Sequence, residues 1–226
     1  MRILVVDDHP LMAEALEVAM RTLDRATDVE TAGNLRTAIA RAEQAGFDLC
    51  LLDLGLPDCS GLEALEKMRA SLPALPVVVV SGSDDTRSVL KALDLGAMGY
   101  IPKTSPRDVL LGAVRLVVSG GIYVPVEALR AREAGEPAPA PAAAVSKTAA
   151  DLGLSARQWE VLGLLLKGLP NKLIARELGL SVETVKDHVA AVLRALNVSS
   201  RTQAVLAVSE MTNRALRGGG SGGNSR

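Results

Sequence analysis

The first 124 residues alternate short runs that are apolar at every position with longer amphipathic stretches, and this alternation leaves few folds open. The apolar runs are Ile3–Val6, Leu49–Leu52 and Val77–Val80, with weaker ones at Val29–Ala32 and Gly99–Ile101. A strand that is apolar throughout suits a parallel sheet covered on both faces. The intervening stretches, near 10–24, 34–45, 61–71, 84–95 and 106–118, have helical periodicity. Five such β-α units predict an α/β fold, a doubly wound five-stranded parallel sheet. Functional groups in such sheets gather beyond the carboxyl ends of the strands.

Chemistry-bearing residues fall at those ends. Asp7 and Asp8 follow the first run, Asp53 the third, Ser81 the fourth and Lys103 the fifth. Taken singly, each has a plain reading: an aspartate after a strand caps a helix or forms a turn, a serine turns the chain, a lysine is solvated. Together they predict one cleft. Three carboxylates packed there repel one another and their pKa values rise unless a cation neutralises them. Mg²⁺ suits the set, because it takes one or two carboxylates, keeps waters and leaves room for phosphate oxygens. A carboxylate can also accept a phosphoryl group as an aspartyl phosphate, a step that needs positioning and charge neutralisation more than proton transfer.

After Tyr123 the composition changes. Residues 136–145 read EPAPAPAAAV, an extended, semi-rigid Pro/Ala stretch, which makes 125–150 a linker. Helical periodicity returns at Ala156–Lys167, Lys172–Leu178, Val182–Leu196 and Arg201–Arg214, an all-α unit of four helices over 151–215; the Gly/Ser-rich remainder, 216–226, is a flexible tail. Gly168, Gly179 and Asn197 stand where helices end, Ser181 can cap the third helix, and Ser200 with Gln203 forms a capping box for the fourth. Val185, Val189, Val192, Leu193 and Leu196 make one apolar face of the third helix, opposite Glu183, Lys186, Asp187, Ala190 and Arg194. With the short Gly179–Ser181 turn before it, this pair of helices reads as a helix-turn-helix. On pattern alone a helical interaction domain with a solvated charged face competes with it. Charge bears on the choice: 1–124 hold 12 basic against 17 acidic residues, whereas 151–226 hold 10 against 6. An acidic front and a basic back point to an anionic partner for the back. Aromatic residues, 2% of the chain, are too few for a base-stacking module. Trp159 reads as a core residue, and His188 as structural.

The segments VVDDHPL (5–11), LLDLGLPDCSGLEAL (51–65), VVVVSGS (77–83) and GYIPK (99–103) resemble the receiver domain of two-component response regulators, whose sheet is CheY-like with flavodoxin-like strand order. The resemblance spans 1–118. It implies Asp53 as phosphoacceptor, with Asp7, Asp8, Asp53 and the backbone carbonyl of Gly55 as the Mg²⁺ site. It further implies Ser81 and Lys103 as the groups that meet the phosphoryl, and Tyr100 as an aromatic that turns inward on activation. Residues 154–205 are similar to the LuxR-type DNA-binding domain, so that the whole resembles a NarL/FixJ-type regulator. That likeness implies phosphate contacts from Lys172, Thr184 and Arg201, a base contact from Lys186, base-facing positions at Asp187 and Ala190, and structural roles for Trp159 and Glu160. Arg194, on the same polar face, joins the DNA-binding set.

The function implied is a phosphorylation-regulated transcription regulator. A sensor histidine kinase supplies the phosphoryl group, the product dimerises and binds promoter DNA, and RNA polymerase is a further partner. The chain is not expected to be an enzyme: an aspartate-nucleophile phosphatase needs a general acid two residues after the nucleophile, and Gly55 stands there. A regulator that ignores phosphorylation is the other alternative, and the complete acidic set speaks against it. Cys50 and Cys59 lack metal-ligand spacing, no apolar run approaches the ~18 residues of a membrane span, and the first apolar run is too short for a signal peptide. A cytoplasmic protein is expected.

Overall fold

The computed structural model describes residues 1–24, 26–126, 128, 152–198, 200, 201, 203–205, 207 and 208. Its first part is a five-stranded parallel sheet built from β1 (Arg2–Val6), β2 (Asp28–Ala32), β3 (Leu49–Leu52), β6 (Val77–Ser81) and β7 (Gly99–Pro102) in the order β2-β1-β3-β6-β7. This is the expected order. Helices α1 (Pro10–Arg21), α2 (Leu35–Gln44), α3 (Leu62–Ser71), α4 (Thr86–Asp94) and α5 (Arg107–Val118) connect and flank the strands.

The uniform apolarity of the strands has a direct cause. Leu4, Val6, Cys50, Leu52, Val77 and Val79 bury into one core with Leu65 and Met68 of α3. Their neighbours Ile3, Val5, Leu49, Leu51, Val78 and Val80 bury into a second core with Leu16 and Met20 of α1 and Val114 of α5. Successive side chains point to opposite faces, so a sheet packed on both faces needs apolar residues at every position. On the edge strand β2, Asp28 and Glu30 pair with Arg2 and keep the border polar.

Two elements differ from the sequence expectation. A small antiparallel hairpin, β4 (Gly55–Leu56) and β5 (Cys59–Ser60), stands between β3 and α3. Helix α4 begins only at Thr86, because Asp85 caps it, accepting from the Ser88 N–H at 3.0 Å.

The second part packs α6 (Ala156–Leu166), α7 (Asn171–Leu178) and α8 (Val182–Ala195) around Val161, Leu165, Ile174, Val185, Val189, Val192 and Leu196. Ser155 and Gln158 form a reciprocal capping box on α6, a pairing the sequence reading passed over. Ser181 caps α8 as expected, and Ser200 accepts from the Gln203 N–H just ahead of the described helical residues 203–205. Gly179 and Asn197 take left-handed conformations, at φ 64° and 53°, where α7 and α8 end. Most of the expected linker, residues 209–214 of the expected fourth helix and the tail lie outside the described residues.

Candidate phosphorylation site and DNA-binding surface

The carboxyl ends of β1, β3, β6 and β7 bring Asp7, Asp53, Ser81 and Lys103 into one pocket. Their backbones are held by the ladder itself. Asp7 N–H donates to Ala32, Asp53 N–H to Val6 and Lys103 N–H to Ser81, at 3.0, 2.8 and 2.7 Å. Asp7 and Asp53 are buried, and Asp8 and Lys103 are half-buried. The Lys103 Nζ lies 2.8 Å from Asp7 Oδ2 and 2.8 Å from Asp53 Oδ2. Only the contact to Asp53 is aligned as a hydrogen bond, so Asp7 Oδ2 has a cation beside it and no directed donor. Burial works against the Lys103 ammonium, yet the hydrogen bond to Asp53 and the two nearby carboxylate charges of Asp53 and Asp7 outweigh it and raise its pKa above the ordinary lysine value.

One ammonium among three carboxylates leaves the pocket negative. Ligand atoms of Asp7, Asp8, His9 and Asp53 all lie within 4.8 Å of one another, the spacing of a divalent-cation site. Asp7 Oδ2 and Asp8 Oδ1 are buried without a directed hydrogen bond, with Lys103 Nζ 2.8 Å from the first and His9 Nδ1 2.8 Å from the second, so each keeps lone-pair capacity that a hard cation would use. Gly55 fits beside them: a Cβ there would stand 3.4 Å from Asp53 Oδ2. His9 N-caps α1, and its backbone N–H donates to Asp7 Oδ1 at 2.9 Å.

Ser81, at the carboxyl end of β6, is buried and its hydroxyl accepts from the Ser83 N–H at 3.2 Å. Tyr100 already lies fully inward, where the resemblance expected it only on activation, because its hydroxyl donates to the Ser83 carbonyl at 2.7 Å and its ring fills the core. Burial raises the Tyr100 phenol pKa, against hydrogen bonds to Ser81 and Ser83.

In the helical part, α8 presents Asp187 and Arg194 exposed, with Thr184 and Ala190 partly covered. Lys186 reaches Glu183 at 3.1 Å, and Lys172 is exposed on α7. Arg201 is placed otherwise. It is buried, its guanidinium donates to Asn171 Oδ1 and the Leu169 carbonyl, and burial lowers its pKa to about 10. Trp159, read as core, is 40% exposed, while Glu160 pairs with Arg157. Asp58, which sequence reasoning did not single out, accepts from the first two amides of α2.

The helical part rests on the ends of the first part opposite the pocket. The close neighbours are Gly46 with Glu183 and Lys186, Gly96 with Ser200, and Gly120 with the Gly168 carbonyl. Gln203 donates to the Asp94 carbonyl, and Ala74 packs against the helical core.

Comparison with known proteins gives a consistent picture. Residues 3–115 match the response regulator receiver domain family, and residues 152–208 match the bacterial regulatory proteins of the luxR family. The glycerol metabolism activator of Pseudomonas putida is 35% identical over 93% of this chain and 96% of its own length. The nitrate/nitrite response regulator protein NarL of Escherichia coli K12 is 34% identical over 90% of this chain and 93% of its own. Among solved structures, a LuxR family DNA-binding response regulator from Silicibacter pomeroyi is 29% identical, with a TM-score of 0.50 over 56% of this chain and 98% of its own. The response regulator RcsB of Salmonella typhimurium shares the fold, at 19% identity and a TM-score of 0.55 over 92% and 99% of the two chains.

Proposed function

The chain belongs to the NarL/FixJ-type response regulators, with a receiver domain in front and a LuxR-type DNA-binding domain behind, and from that premise we propose that Asp53 is its phosphoacceptor and that charging Asp53 governs its hold on promoter DNA. The observation that carries this is the Lys103 ammonium, 2.8 Å from both Asp7 and Asp53. It neutralises the nucleophile, and it stands ready to pair with the added group.

A sensor histidine kinase supplies the phosphoryl group. An oxygen of Asp53 forms the new O–P bond as the P–N bond to the kinase's phosphohistidine breaks, and the freed imidazole takes a proton from solvent. Asp7, Asp8, Asp53 and the Gly55 carbonyl would hold Mg²⁺, which when bound supplies charge neutralisation for phosphoryl oxygens. Asp53 then carries about −1.5 to −2 charges where it carried one. Lys103 follows that charge, the Ser81 hydroxyl turns to donate to it, and Tyr100 loses or changes its tie at Ser83. These groups sit on or just beyond β6 and β7 and in the segment that leads into α4, so the face they share moves between two arrangements.

The other end of the same elements touches the helical part. Helix α8 is the recognition helix in this reading, with Lys186, Asp187, Ala190 and Arg194 toward the major groove, Lys172 and Thr184 near phosphates, and Arg201 bracing α7 from inside. Lys186 and Glu183 lie against Gly46 of the receiver, which supports a resting form in which the receiver covers the reading surface. Phosphorylation frees it and favours a homodimer on paired half-sites, where RNA polymerase is a further partner. No helix among the described residues is long and apolar enough to cross a membrane. The reading places the protein in the cytoplasm, in keeping with the free, buried thiols of Cys50 and Cys59.

The test is a gel shift on duplex DNA selected by the protein itself, with and without acetyl phosphate and Mg²⁺. Wild type takes up the phosphoryl group and binds more tightly. Asp53→Asn takes up none and does not respond. Undiminished labelling of that variant, or a wild-type affinity indifferent to labelling, refutes the proposal.

A further inference from the structure

We infer that Asp58 is a positioning residue of the phosphorylation site, pinning the hairpin that carries Gly55 to the N-terminus of α2 and so fixing the Gly55 carbonyl beside Asp53. The inference deepens the proposed function and rests on Gly55 serving as a ligand of the divalent cation.

The hairpin is small and braced at both ends. At its base Gly55 pairs with Ser60 and Leu56 with Cys59, and the Gly61 N–H closes onto the Leu54 carbonyl at 2.7 Å. Leu54, Leu56 and Cys59 are buried, so the base cannot lift without exposing apolar surface. Pro57 and Asp58 form the exposed tip. A two-stranded hairpin of this size has no stability of its own, so its tip needs an external anchor. Asp58 supplies one. Its Oδ1 accepts from the Leu35 N–H at 2.9 Å and its Oδ2 from the Arg36 N–H at 3.0 Å.

Helix α2 already has its own cap, since Asn34 accepts from the Thr37 N–H at 2.8 Å. Asp58 therefore adds the other two free amides of the first turn to a loop 22 and 23 residues away in sequence. Its charge also meets the positive end of the helix dipole. Burial pushes its carboxyl up, but the bonds from Arg36 and Leu35 outweigh that and hold it below the ordinary value, so it is ionised at neutral pH. One end of the hairpin thus faces Asp53 and the other is tied to α2. With the base already packed, the tie at the tip limits the remaining freedom of the hairpin and so steadies Gly55 beside the carboxylates.

A plain helix-capping role and a positioning role part company in one measurement. The Mg²⁺ concentration giving half-maximal labelling of Asp53 by acetyl phosphate is determined on the full chain, together with the rate at saturating Mg²⁺. Asp58→Ala raises the half-saturating Mg²⁺ by about ten-fold, the lower end for groups that orient metal ligands, while the saturating rate stays within about two-fold of wild type. Asp58→Asn, which keeps one acceptor, falls between. Asn34→Ala removes the cap of the same helix without touching the hairpin, lowers stability, and leaves half-saturation unchanged. Equal Mg²⁺ requirements in Asp58→Ala and wild type overturn the inference, as does an equal shift in Asn34→Ala. Wild-type labelling that is independent of Mg²⁺ instead removes the cation reading itself, and this inference with it.

Discussion

Lys103 shows how a single side chain holds the receiver pocket together. Two buried carboxylates flank it, and with the side chain of Asp7 wholly covered the local dielectric is low. Removing the cation leaves two buried anions facing each other, a change that costs about 3–5 kcal/mol where no solvent or ion compensates. Lys103→Met therefore lowers the urea midpoint in the presence of a chelator, and millimolar Mg²⁺ recovers part of the loss, because the cation takes the place of the ammonium among the carboxylates. An unchanged midpoint in chelator would show that water already screens the pair. The sign with pH follows from the raised pKa of Lys103. Its contribution is complete below the ordinary lysine value of about 10.4 and is lost as pH rises through the higher folded value. Wild type and variant thus converge only in strong base.

At the scale of elements, the structure separates what periodicity can encode from what it cannot. The sheet strands were legible because burial on both faces forces every residue to be apolar. Helix ends were legible where a left-handed residue stops the turn. Asn197 at φ 53° is the only non-glycine residue with positive φ among those described, and a left-handed residue with a Cβ and no compensating polar group costs about 1–2 kcal/mol. Asn197→Ala accordingly lowers the thermal midpoint of the helical domain and Asn197→Gly does not, as circular dichroism of the two variants would read out. Equal midpoints would mean that α8 can end one residue elsewhere at no cost. The β4–β5 hairpin was not legible: two-residue strands have no period, and the bonds from Asp58 join positions more than twenty residues apart. Arg201 illustrates the same limit in the DNA-binding part. Its charge and motif position pointed outward, while Asn171 and the Leu169 carbonyl, about thirty residues away, draw it inside. Of the pocket, Asp7, Asp53, Ser81 and Lys103 could be assigned from strand ends alone, because the parallel fold brings those ends together.

For the whole molecule, the two domains meet at the end of the sheet away from Asp53, so the signal must cross the length of the strands. That is about 15 Å, at ~3.3 Å per residue. Helix α4 spans the distance: it starts just beyond Ser81 and Ser83, and its last residue, Asp94, accepts a hydrogen bond from Gln203. A shift of α4 on charging Asp53 would strain that bond and the neighbouring Gly96–Ser200 approach together. Rigid elements that reach from one site to another carry coupling when both sites favour different arrangements of them. Loosening the docked form should then imitate phosphorylation. Ala74 is a suitable place, since it packs on the helical core through a small apolar side chain and lies far from the pocket. Ala74→Arg inserts a long charged side chain there, and the unphosphorylated variant should bind duplex DNA about ten-fold more tightly than wild type, equivalent to a coupling of about 1.4 kcal/mol. Adding acetyl phosphate should then gain it correspondingly less. If Ala74→Arg left resting affinity at the wild-type level while the wild type still responded to phosphorylation, release of the recognition helix could not be the route, and regulation would have to act through pairing of two chains on the DNA.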